Sequence, residues 1–148
     1  MTELINVRTI GLKAARSAVD AAVAEATSIG VPACVAVVDR MGHLLAYGRM
    51  DGAPLLSGQL AQDKAYTVAA FGPPTHDWFD LIKDEPALLH GIVKIDRLVV
   101  FGGGVPVTVD GELVGAVGVS GGSTAQDRLI AESGAAAAAP PIGEARTA

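Results

Sequence analysis

Residues 101–127, FGGGVPVTVDGELVGAVGVSGGSTAQD, constrain the fold more than any other stretch of the chain. Two glycine clusters, Gly102-Gly103-Gly104 and Gly121-Gly122, flank a hairpin whose Asp110-Gly111 pair suits the positive-φ positions of a two-residue turn. Val105, Val107 and Val109 alternate with Pro106 and Thr108 on the first strand. The return strand sets Leu113, Gly115, Val117 and Val119 on one face and Val114, Ala116, Gly118 and Ser120 on the other. That second face carries little side-chain bulk, so it admits a helix, another backbone or a ligand at close range. Ser123 followed by Gln126 fits a capping box and predicts a helix that begins near Thr124 and stops at Gly134. The Gly121 and Gly122 amides then lie beside a helix N-terminus, where an anionic group can bind. Asp127, in the first turn, reads equally as a partner of the helix dipole and as a catalytic carboxylate.

Upstream, Leu12, Ala15, Val19, Ala22, Val23, Ala26 and Ile29 recur at three- and four-residue spacing and predict a helix over 11–29, closed by Gly30. The run ACVAVVD over 33–39 reads as a central strand, and 43–49 as its antiparallel neighbour after a turn at Arg40, Met41 and Gly42. His43 stands at the rim of this hairpin, either as an exposed strand-start residue or as a ligand. A second helix is predicted over 55–70, with Leu56, Leu60 and Val68 turned inward. Lys64 falls on that same inward line, so its stem is covered and its ammonium has to meet water, a carboxylate or a ligand. Arg49 and Asp51 lie just ahead of this helix and can pair with each other. Between residues 75 and 96 the periodicity breaks into short turns that carry His76, Trp78 and His90, a flap of the kind that covers pockets, before a strand at 98–101.

The chain has 148 residues, half of them hydrophobic, which suits one compact domain over 1–137 with a tail at 138–148. A formal charge of -5 and the lack of a basic run argue against nucleic acid as a partner. No stretch approaches the ~20 apolar residues needed to cross a membrane. The N-terminus carries Glu3 without an apolar run, unlike a secretory signal, and the single Cys34 cannot form an internal disulfide, so a cytoplasmic location is expected. Eighteen glycines and the alanine runs favour close contacts and a homo-oligomer. Phosphate-loop, dinucleotide-fold, nucleophile-elbow and structural-zinc patterns are absent from the sequence.

Four separated stretches, VVDRMGHLLAYGRMDGAPLLS, QDKAYTVAAFG, FGGGVPV and GAVGVSGGSTAQD, resemble the GlcG/HbpS family, whose domains are also found at the C-terminus of PduO-type proteins. The resemblance spans residues 8–137 and implies an α/β (α+β) sandwich of the profilin or roadblock kind. In it, a five-stranded antiparallel sheet is flanked by helices, and the chains form oligomers. It further implies a small-molecule ligand, with haem as the cofactor in some members. The positions that match the family motifs are Asp39, Gly42, Arg49, Asp51, Lys64, Gly102, Gly103, Gly104, Pro106, Gly121, Gly122 and Asp127. The family's haem-binding members make His43, the histidine within these motifs, the candidate metal ligand.

Three functional expectations follow. In the first, the protein binds haem or another tetrapyrrole, using His43, His76, His90 or Tyr66 as axial donor and Arg49 or Lys64 for the propionates. In the second, it is a small enzyme or accessory subunit acting on a small organic acid or its derivative. There the ligand-binding glycine amides at 102–104 and 121–122, with Arg49 and Asp51, would serve a cleft in which Lys64 is the charge partner and Asp127 the general base. In the third, the chain is a structural oligomeric module.

Overall fold

The computed structural model describes residues 1–139. Helix α1 covers Leu12–Ser28, strands β1 and β2 cover Cys34–Asp39 and Leu44–Arg49, and α2 covers Ser57–Phe71. A 3-10 turn at Thr75–Asp77, α3 at Trp78–Ile82, α4 at Pro86–Gly91 and a second 3-10 turn at Ile92–Lys94 form the flap. Strands β3, Gly104–Val109, and β4, Glu112–Ser120, then lead into α5, Thr124–Ala138. The expected tail at 138–148 lies outside the described residues from 140 onward.

The sheet is antiparallel throughout, in the order β2-β1-β4-β3. Among the described residues it has four strands, not the expected five. Residues 98–101 are not a strand, because Val99 donates its N–H to Oγ1 of Thr67 on α2 at 3.0 Å rather than to a neighbouring strand. The α/β (α+β) sandwich itself is as expected. Helices α1 and α5 cover one face, where Val35, Val37, Val117 and Val119 are fully buried, and α2 covers the other against Cys34, Ala36, Val38 and Ala116. Each of those buried valines contributes about 1.5–3 kcal/mol relative to exposure.

Small residues set the spacing of the layers. The buried row of α1 is Ala15, Ala18, Ala22 and Ala26, and it packs on α5. Gly134 sits inside that contact: a Cβ there would lie 2.9 Å from the carbonyl oxygen of Ala18. Gly134 is therefore a packing residue, and the helix it was expected to end runs on to Ala138. On the other face, a Cβ at Gly118 would strike the Ala61 carbonyl and lie 2.6 Å from the Ala65 nitrogen, so the smooth face of β4 receives a helix. The side of α2 that faces the sheet is Gly58, Ala61, Ala65 and Ala69; Leu56 precedes the helix and is 66% exposed, contrary to expectation. A register shift opposite Thr108 also moves Leu113 toward α2 and Val114 toward α1, reversing their expected faces.

The capping box at Ser123 and Gln126 is formed, with Gln126 N–H to Ser123 Oγ at 3.2 Å and Ser123 N–H to Gln126 Oε1 at 2.9 Å. It fixes where α5 starts and thereby where Asp127 stands.

Candidate functional site

The register gathers most of the candidate residues at one end of the sheet. Cys34 pairs with Arg49 on one side and with Ser120 on the other, and Gly104 pairs with Gly118. The N-terminal end of β1, the C-terminal ends of β2 and β4 and the start of β3 therefore lie together. His43 stands at the opposite end, in the turn between β1 and β2.

At the first end, Lys64 from α2 and Asp127 from α5 meet beneath the glycine loop. The Lys64 ammonium donates to Asp127 Oδ2 at 3.0 Å and to the Val119 carbonyl at 2.8 Å, while Asp127 Oδ1 accepts the Gly122 N–H at 2.9 Å. Lys64 is 1% exposed and Asp127 3% exposed. Of the partners open to Lys64 in the sequence, the structure selects the carboxylate. Burial pulls the Lys64 amine below the ordinary lysine range; the Asp127 carboxylate pulls the other way without offsetting it.

The glycines shape this site by what they leave out. Gly103 has φ +128°, and a Cβ there would lie 2.6 Å from Lys64 Nζ and 3.0 Å from the Asp127 Cβ. Gly104 donates its N–H to Thr75 Oγ1 at 2.8 Å and presses on the Lys64 carbonyl, so Thr75 ties the flap to β3. Gly102 lies against Thr124 and the Cβ of His76. Gly121 packs on the backbone of Pro32 and Ala33. The Phe101 ring, unread in the sequence, lies 5.3 Å from Lys64 Nζ. On the flap, Trp78 packs with Ile82, Ile92 and the Phe71 ring, and Trp78 Nε1 and His76 Nδ1 are buried without a hydrogen-bond partner among the described residues. The close backbone approach at the glycine-rich loop was legible; the Phe101 contact was not.

Arg49 does not pair with Asp51. Its guanidinium donates to the carbonyls of Ala53 at 2.8 Å and Leu55 at 2.9 Å, and to that of Pro54, which fixes the loop ahead of α2. Asp51 is exposed in that loop. Close by, burial and a hydrogen bond with Cys34 push the Tyr47 hydroxyl above its ordinary value. Tyr66 carries the Arg97 guanidinium stacked on its ring at 3.8 Å, and Arg97 in turn binds Asp63 at 2.9 Å.

At the other end of the sheet, Asp39 organises the β1–β2 turn. Its Oδ1 accepts the N–H groups of Met41 and His43, each at 2.9 Å, and its Oδ2 stands 3.1 Å from His43 Nδ1. Gly42 supplies the positive φ of +88° that the turn needs. Burial pushes the Asp39 carboxyl up, but the two amides and the imidazole outweigh it and hold its pKa below the ordinary carboxylate value. The His43 side chain is 76% exposed, with Nε2 left as the open nitrogen. Met41 and Leu44, also exposed, flank it. No cluster of three or more His, Cys, Asp or Glu side chains that could hold a metal ion occurs among the described residues.

The family model described as haem degrading protein HbpS-like matches residues 10–136. A 15.0 kDa protein from the dhaT-dhaS intergenic region of Citrobacter freundii is 41% identical over 134 residues, which is 89% of this chain and 94% of the relative. Among solved structures, protein ORFY of Klebsiella pneumoniae is similar with a TM-score of 0.86 and 34% identity, over 93% of this chain and 96% of that one. A haem complex of PduOC is similar with a TM-score of 0.79 and 36% identity, over 87% of this chain and 94% of that one.

Proposed function

The chain belongs to the HbpS-like family of haem-degrading proteins, and from that premise we propose that it binds one haem per chain at the β1–β2 hairpin, with His43 as the axial ligand. The observation that carries this reading is the Asp39–His43 contact of 3.1 Å. Histidines that bind metals generally donate their second ring N–H to a carboxylate, which sets the tautomer and raises the basicity of the ligating nitrogen. His43 meets that requirement before any iron arrives, and Met41 and Leu44 offer apolar surface to a macrocycle. The residues present therefore fit the group, and bound haem would supply an iron centre whose electronics Asp39 tunes through the imidazole.

The other expected donors and cations are less available. Tyr66 is covered by Arg97, Lys64 is closed off by Asp127, and Arg49 is committed to three carbonyls. The solved haem complex of PduOC, at 36% identity, supports the ligand class. Exposed Phe71, Phe79, Leu81, Val93 and Ile95 support a homo-oligomer, in which a second copy could wall the hairpin. The reading keeps the protein in the cytoplasm. Electron paramagnetic resonance of the hemin-loaded protein tests the ligand: the signature of nitrogen ligation is expected in wild type, His76→Ala and His90→Ala and lost in His43→Ala. An unchanged spectrum in His43→Ala would remove His43 from the site.

A further inference from the structure

The Lys64–Asp127 pair lies at the far end of the sheet from His43, and its chemistry is independent of haem. A buried ion pair is weak grounds for a stabilising role, because apolar side chains of the same volume do as well or better at such a place. This one also stands in unusual company. Buried His76 Nδ1, on a side chain whose Cβ packs against Gly102, has no hydrogen-bond partner among the described residues, while its Nε2 faces Asp77 Oδ1 at 3.5 Å. Native proteins leave few such atoms, and this one asks for a partner that the described residues do not supply. The Phe101 ring, 46% exposed, lies 5.3 Å from Nζ, next to a loop whose Gly102, Gly103 and Gly104 carry no side chains.

We propose that Lys64 is an imine-forming lysine whose substrate is a small neutral aldehyde or ketone, admitted when Phe101 swings aside, with Asp127 as the proton carrier. The ligand class follows from charge. Lys64 is already neutralised by a carboxylate that also occupies the N-terminal turn of α5, so an added anion gains little there. A neutral carbonyl compound loses nothing on that account.

The proton inventory closes within the pair. The Lys64 ammonium passes one proton across 3.0 Å to Asp127, and the free amine attacks the carbonyl carbon. A C–N bond forms, the C=O π pair moves to oxygen, and that oxygen takes the proton from Asp127. Asp127 next removes a proton from nitrogen and delivers it to the new hydroxyl. Water leaves as the nitrogen lone pair closes the C=N bond. The product is an iminium beside a carboxylate, the same net charge as at the start, and no oxidant or reductant takes part in forming it. The depressed proton affinity of the buried amine favours the first step.

The test is reductive trapping of the full-length protein with propionaldehyde and cyanoborohydride at neutral pH, read by peptide mass spectrometry. Lys64 is expected to acquire the propyl group at least tenfold faster than exposed Lys13, Lys83 and Lys94, and faster again in Phe101→Ala. Labelling confined to the three surface lysines in both the wild type and Phe101→Ala would overturn the proposal and leave the pair a structural pin.

Discussion

Lys64 Nζ and Asp127 Oδ2 stand 3.0 Å apart although 63 positions separate the two residues, and they join α2 to α5 beneath the end of β4. Removing either partner strands a buried group. Lys64→Met and Asp127→Asn should each lose about 3–5 kcal/mol of stability. The double substitution should lose about 1–3 kcal/mol less than the sum. Denaturant unfolding of the four proteins measures this, and strict additivity would show that the two side chains do not act as a pair.

The same lysine gives stability a slope with alkaline pH. Its folded pKa lies below that of the unfolded chain, so between the two the unfolded state holds more protons and stability rises with pH. The denaturation midpoint of the wild type should therefore climb, relative to that of the Lys64→Met, Asp127→Asn double variant, as pH goes from 7 toward about 10. Parallel curves for the two proteins would contradict the depressed lysine.

Asp39 works in the opposite range. Its folded pKa is depressed, so its contribution is present above the unfolded carboxylate value of about 3.9 and lost as pH falls through the lower folded value. Asp39→Asn should flatten the acid limb of the unfolding curve in haem-free protein. In the presence of hemin the same substitution should weaken binding about 10–100-fold, since it removes the partner that orients His43. Equal hemin affinity in the two proteins would mean that the carboxylate serves the turn alone.

Close packing of helix on sheet rests on Gly118. Gly118→Ala should cost about 1–3 kcal/mol or more, because the methyl would enter the Ala61 backbone. Gly91→Ala, where a Cβ meets open space, should change stability by less than about 0.5 kcal/mol. Thermal melts of the two variants decide whether the clash of the added methyl or the change in backbone freedom governs these positions.

Much of this architecture could be read from local signals. The capping box at Ser123 and Gln126, the turn at Asp110-Gly111 and the β-branched runs of β1 and β4 each depend on residues a few positions apart, and all appear where expected. The buried placement of Lys64 was also legible, because helical periodicity alone put it on the inner line. What escaped depended on partners far along the chain. Residues 98–101 have a strand's composition, yet Thr67 on α2 takes the Val99 N–H. Gly134 looks like a helix stop, yet Ala18 across the interface is what requires it. Arg49 was free to choose Asp51 by charge, and the loop carbonyls won because they converge on the planar guanidinium. Propensity has no term for any of these.

The haem reading stands or falls on His43, and a hemin titration of the apoprotein followed at the Soret band tests it most directly, with His43→Ala in parallel. The account predicts saturation at about one haem per chain in the wild type and its loss in His43→Ala. A shift that never saturates, or binding by His43→Ala as tight as by the wild type, would contradict it.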